Sequence, residues 1–169
     1  MPPSFRPVDL AAEAAELSGF LCAHEWPYHG RSRLRPEDVA TMELGEPDAA
    51  TFWIDDGGEH VGVVRLFDLA DLDEGSPMFD LRLAPAHRRR GLGTTSVRWL
   101  TGHLFTTYPT LHRIEATTRI DNAAMRVVFE RCGYQLEGRL RETWPDATGA
   151  RHDTMVYGIL RREWGDEPA

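Results

Sequence analysis

The stretch from Met78 to Leu104 constrains this chain more than any other. It runs Met78-Phe79-Asp80-Leu81-Arg82-Leu83, breaks at Pro85, continues through Arg88-Arg89-Arg90-Gly91-Leu92-Gly93-Thr94, and then sets Val97, Leu100 and Leu104 at i, i+3 and i+7. The first part predicts a strand and the last a helix, so a glycine-bearing turn must join them and the fold must be of an α/β kind. A helix N-terminus presents unpaired backbone N–H groups and a partial positive charge, and Gly91 and Gly93 let that backbone approach an anion closely. With three arginines before it, the turn reads as a seat for a polyphosphate small molecule. The plainer reading, a tight turn with a solvated arginine face, stays open at this point.

Charge narrows the partners. Residues 1–80 hold 17 acids and 5 bases, whereas residues 81–169 hold 10 acids and 14 bases, so the halves differ in sign within a total of −8. All 19 bases are arginine. The absence of lysine removes Schiff-base chemistry and the lysine of an NTP-binding Walker loop. A pI near 5.3 disfavours general nucleic-acid binding, while the acidic first half would draw in a cationic partner.

The 169 residues, 41% of them apolar, suit one domain spanning 1–169 without internal repeats. Neither a membrane-length apolar run nor a basic-then-apolar opening occurs, and Cys22 and Cys132 are too far apart in sequence for a C-x-x-C site, so a reducing cytoplasm is expected. Helices are predicted over Leu10–Leu21 and from Arg35 toward Leu44. Strands are predicted at Thr51–Ile54, Val61–Leu66, Met78–Leu83, His112–Thr118, Tyr134–Leu140 and Thr154–Leu160. A helix bearing Met125, Val128, Phe129 and Cys132 on one stripe should end at Gly133. The sum is an α/β chain of the α+β type with a mixed sheet.

Arg88-x-x-Gly91-x-Gly93 resembles the Q/R-x-x-G-x-G/A signature of the GNAT superfamily of acyl-CoA-dependent N-acyltransferases. The run Asn122 to Tyr134 is similar to the N-x-x-S-x-x-V-x-E-K-x-G-F block of that family's ribosomal-protein N-terminal acetyltransferase branch, and Asp153 to Trp164 resembles its closing strand. The resemblance implies a largely antiparallel central sheet of about six or seven strands flanked by helices, with acetyl-CoA as co-substrate and no metal. It implies that Arg89, Arg90, Gly91, Leu92, Gly93 and Thr94 cradle the pyrophosphate while Arg88 and its neighbours meet the remaining phosphate charge. Pantetheine would run beside Leu81, Arg82 and Leu83, where a backbone N–H polarises the thioester, and Asn122, Met125 and Phe129 would line its arm. Asn122 also reads as an N-cap. A primary amine, either a small cationic one of polyamine or aminoglycoside type or a protein N-terminus, would be the acceptor. A homodimer is compatible with this pattern.

One departure stands out. Met125 occupies the position of the branch's Ser and cannot protonate a leaving thiolate. Tyr134, in place of the branch's Phe, could donate a phenolic proton or could simply pack. An ammonium acceptor must lose a proton before attack, which makes Asp80 and Glu115 candidate bases, unless Arg82 and Arg113 bind them in salt bridges. Glu25, Trp26 and His29, between the first two helices, are the acceptor-side candidates, with a hydrophobic plug as the alternative for the aromatic members. No G-x-S-x-G elbow, H-E-x-x-H pair or tight His/Cys cluster supports a hydrolase or metal reading, and Cys132 reads as a buried thiol. The remaining reading is a non-catalytic acyl-CoA sensor, which Met125 modestly favours.

Overall fold

A computed structural model describes residues 2–42, 44–45, 47–70, 72 and 76–165. The element order is β1 (Ser4–Pro7), α1 (Leu10–Ala23), α2 (Pro36–Ala40), β2 (Ala50–Asp56), β3 (Glu59–Phe67), β4 (Met78–Leu83), α3 (Leu92–Thr107), β5 (Arg113–Arg119), α4 (Ala123–Arg131), β6 (Gln135–Pro145), β7 (Arg151–Leu160) and α5 (Arg161–Trp164). Every helix and strand expected from the sequence is present, although α2 stops short of Leu44. The sequence reading did not include β1 or α5. Each is four residues long, and β1 is a proline-ended edge strand too short for an alternation to show.

The strands form two antiparallel sheets, β1-β2-β3-β4 and β5-β7-β6. They adjoin where β4 and β5 begin: the Glu115 N–H donates to the Pro77 carbonyl at 3.2 Å. No other backbone hydrogen bond joins β4 to β5 among the described residues, so the two strands part beyond that point. The mixed sheet expected from the sequence is thus divided, and the crossover through α3 connects the two halves.

Side-chain alternation assigns the faces. On β4, Phe79, Leu81 and Leu83 pack with α3 and α4 over a core that includes Val64, Leu66, Val97, Leu100, Ile114, Phe129 and Tyr157. On the opposite face, Trp53 of β2, Val63 of β3 and Arg82 of β4 lie in register. There Leu17, Leu21, Trp26, Leu34 and Val39 build a second cluster with Trp53 and Val63, which seats α1 and α2. The result is a pair of adjoining sheets with α3 and α4 on one face and α1, α2 and the loop between them on the other.

Candidate active site

The β4–α3 turn forms the first wall. Gly91 is the N-cap of α3 with φ +84°, and a Cβ built there would meet nothing within 4 Å. No side chain caps this helix, so the first-turn amides of Leu92, Gly93 and Thr94 lack intrahelical partners; the first such bond is Thr95 N–H to the Gly91 carbonyl. Arg89 also has a positive φ, +60°, an uncommon conformation for a non-glycine residue that helps turn amides toward one side. Gly93 serves differently: a Cβ there would lie 3.4 Å from Val128, so its small size lets α3 approach α4. Leu92 is core.

The three arginines separate into two roles. Arg88 donates from Nε to the Leu83 carbonyl at 2.8 Å and from Nη2 to the Glu25 carbonyl at 3.1 Å, and burial pulls its guanidinium pKa down. It ties the turn to β4 and to the α1–α2 loop. Arg89 is exposed, and Arg90 leans toward His87 and, at 3.8 Å, toward Asp56. Those two guanidiniums stay at the surface of the turn.

Strand parity supplies the second wall. The Ala84 N–H donates to Val61 of β3, so the main chain of Arg82 also faces β3, whereas Pro77, Phe79, Leu81 and Leu83 face β5. Pro77 meets Glu115 and the Leu83 carbonyl meets Arg88, which leaves, among the described residues, the Phe79 and Leu81 main chains and the Leu83 N–H on an open strand edge, with Leu81 and Leu83 farthest into the gap. Such an edge suits the amides of an extended chain. Arg82 therefore acts through its side chain, on the other face.

Asp80 accepts hydrogen bonds from His29 Nε2 at 2.7 Å and from Arg82 Nε at 2.8 Å. Burial alone would raise its pKa, but the charges and hydrogen bonds of His29 and Arg82 outweigh burial and hold the carboxyl well below the usual range. It cannot collect a proton near neutrality. The pairing stabilises the fold fully above the unfolded carboxylate value of about 3.9, and that contribution is lost as pH falls below it. Asp80→Asn is expected to cost about 1.5–3 kcal/mol at pH 7 and clearly less at pH 2.5, where the contribution is partly lost on its way to the depressed folded value, read by urea unfolding at both values. An equal loss at both would contradict the ion-pair assignment.

The other candidates occupy distinct environments. Glu115 sits on the α1–α2 side of β5 within 3.2 Å of Arg113, which also holds Glu137 at 2.9 Å. Tyr134 is 3% exposed, and its hydroxyl lies 2.8 Å from Thr101 Oγ1, which itself donates to the Val97 carbonyl. The phenolic proton is thus committed to Thr101, and burial drives the Tyr134 pKa up. Asn122 is the α4 N-cap, accepting from the Met125 N–H at 3.3 Å and donating to Thr118 at 3.0 Å. Met125 packs on the main core and Phe129 lies inside it, edge-on to Phe79.

Above the gap, Trp26 is 1% exposed, donates from Nε1 to the Leu21 carbonyl at 2.8 Å, and lies under the guanidiniums of Arg82 and Arg88. It is the hydrophobic plug of the loop. Glu25 is exposed and paired with Arg33. His29 reaches inward to Asp80, and its Nδ1 is buried without a partner. The sequence reading omitted Arg119, which grips Asp121 through two bonds of 2.7 and 2.6 Å, donates to the Pro27 carbonyl at 3.4 Å, and stands over the Tyr28 ring. Only the nearby Asp121 was a signal for it; the loop contacts span some ninety positions.

A family model described as an acetyltransferase (GNAT) domain matches residues 5–135. The chain is 27% identical over 110 residues to YdaF of Bacillus subtilis (strain 168), provisionally named a ribosomal N-acetyltransferase; the match covers 65% of this chain and 58% of that relative's length. Among solved structures, Mycobacterium smegmatis RimJ in complex with CoA-disulfide superposes with a TM-score of 0.77 at 25% identity, covering 95% of this chain and 83% of the other. The Vibrio cholerae spermidine N-acetyltransferase in complex with CoA and spermine gives 0.76 at 19% identity over 97% and 98% of the two chains, a likeness of fold alone.

Proposed function

Because the chain belongs to the GNAT acetyltransferase domain family, we propose that it transfers an acetyl group from acetyl-CoA to a primary amine within a ternary complex. The observation that carries this is the uncapped α3 N-terminus beside the open Leu81–Leu83 edge. Anion-binding amides and a strand edge would together receive the pyrophosphate and the pantetheine amides of one extended cofactor. Arg89 and Arg90 would meet the 3′-phosphate, and Arg88 would keep the turn against β4.

In the reaction, the amine lone pair attacks the thioester carbonyl carbon, an oxyanion forms, and the carbon–sulfur bond breaks to release the CoA thiolate. The Leu81 or Leu83 N–H would donate to the developing oxyanion. The amine's proton goes to Nδ1 of the neutral His29 ring, whose Nε2–H stays on Asp80, and Asp80 balances the imidazolium charge that forms with this transfer. Asp80 thus acts through His29. Met125 supplies no proton to the thiolate, which would take one from solvent. Asn122 would order the α4 start beside the gap, and the setting proposed is the cytoplasm, a reading supported by the name of the ribosomal-type relative.

His29→Gln should retain acetyl-CoA affinity and lose about 10²–10⁴-fold in kcat, measured by thiol release under saturating cofactor. Unchanged kcat would remove His29 from the mechanism. Release of CoA with any primary amine in a panel would establish transfer, whereas cofactor binding without turnover would leave the sensor reading.

A further inference from the structure

Arg82 is 8% exposed, and its guanidinium lies between two environments. Nε is satisfied by Asp80 at 2.8 Å, whereas Nη1 is buried and has no hydrogen-bond partner. Arginine cannot discard its charge in response, so a buried N–H pair without an acceptor is costly. That side chain lines a cleft of about 240 Å³ between α2 and β4, completed by Arg31, Leu34, Asp38, Thr41 and Met42.

The acids around this cleft are already engaged. Asp38 is held by the Arg31 guanidinium, by the Arg35 N–H at 2.9 Å and by Arg35 Nε at 3.4 Å. Asp80 is shared between His29 and Arg82, and Glu25 pairs with Arg33. The unmet demand on this wall is for an acceptor oxygen, not for a cation. The acidic total of the first half therefore gives a misleading guide to this cleft.

We propose that the α2–β4 cleft is a carboxylate subsite, with the Arg82 guanidinium as its donor while Arg31 and Arg35 keep the Asp38 carboxylate neutralised on the facing wall, and that the acceptor amine carries its own carboxylate, as an amino acid does. This deepens the acetyl-transfer reading and rests on it for the amine. Arg82 and His29 both bond to Asp80, which sets the subsite beside the proposed base, so an acceptor with its amine at His29 would carry its carboxylate toward Arg82.

The test uses the full chain and three matched acceptor pairs: glycine and glycinamide, β-alanine and β-alaninamide, 4-aminobutyrate and 4-aminobutyramide. At the best spacing, kcat/KM for the acid should exceed that for its amide by about ten- to a hundredfold, the usual weight of a hydrogen bond to a charged group. The amides hold the larger free-amine fraction, so this preference cannot arise from basicity. In Arg82→Gln the ratio should fall toward one. Thr41→Asp, at an exposed position of the cleft rim, should lower it as well by supplying a resident carboxylate while leaving Arg82 and Asp80 in place. Amides used as well as acids at all three spacings would overturn the subsite. Should none of the six turn over, transfer to small amines fails, and calorimetry of the same acids on the CoA-saturated protein decides separately: tighter binding of an acid than its amide supports the subsite, and no binding overturns it.

Discussion

Gly91→Trp is expected to abolish measurable acetyl-CoA binding, a loss of at least about a hundredfold, while the chain remains folded. The reasoning has two parts. First, nothing stands within 4 Å of a Cβ at Gly91, so an indole would project into the space before the α3 N-terminus and cover the amides of Leu92, Gly93 and Thr94. Second, φ of +84° is left-handed, which costs a side-chain-bearing residue about 1–2 kcal/mol, tolerable in a domain stable by about 5–15 kcal/mol. Circular dichroism and calorimetry on the same preparation separate the two effects. Retained binding would mean that the anion seat lies elsewhere. Gly93→Ala, by contrast, should act through packing, because its Cβ meets Val128 at 3.4 Å.

Trp26→Ala should destabilise the opposite face by about 3–5 kcal/mol in urea unfolding. The ring is 1% exposed, contacts Phe20, His24 and His29 edge-on or tilted, and lies beneath Arg82 and Arg88. Its main chain also closes the loop, with the Trp26 N–H donating to the Ser32 carbonyl at 2.7 Å. Removing it leaves a void under two guanidiniums and loosens His29. Trp26→Phe should recover part of the loss. A cost below about 1 kcal/mol would show that the ring is not part of the core and would return it to the acceptor's contact surface.

Local pattern made the elements legible. The periodicities of β2, β3, β4, α3 and α4, with Gly133 at φ +82° closing the last, follow from side-chain burial along short segments. The parting of β4 from β5 was not legible, because it depends on where one main-chain bond, Glu115 to Pro77, stops being repeated. The site divides the same way. Residues 88–94 announce an anion seat by composition alone, but Arg88's work as a strut depends on the Glu25 carbonyl, 63 positions away. Asp80 was legible as a candidate and as a salt-bridge partner. Its second partner, His29, comes from the α1–α2 loop, and only tertiary packing brings the two within 2.7 Å. Likewise an alternating strand pattern shows that Arg82 faces away from Leu81, without revealing that one of its nitrogens is left unsatisfied in a cleft.

The proposed transfer depends on the α3 N-terminus and the β4 edge holding acetyl-CoA. Titrating the protein calorimetrically with acetyl-CoA and with its analogue lacking the 3′-phosphate tests it most directly. Both should bind, the analogue more weakly by about tenfold or more, since it forfeits a charge-assisted contact to Arg89 or Arg90. Absence of binding to either form would contradict the cofactor assignment and the transfer reaction built on it.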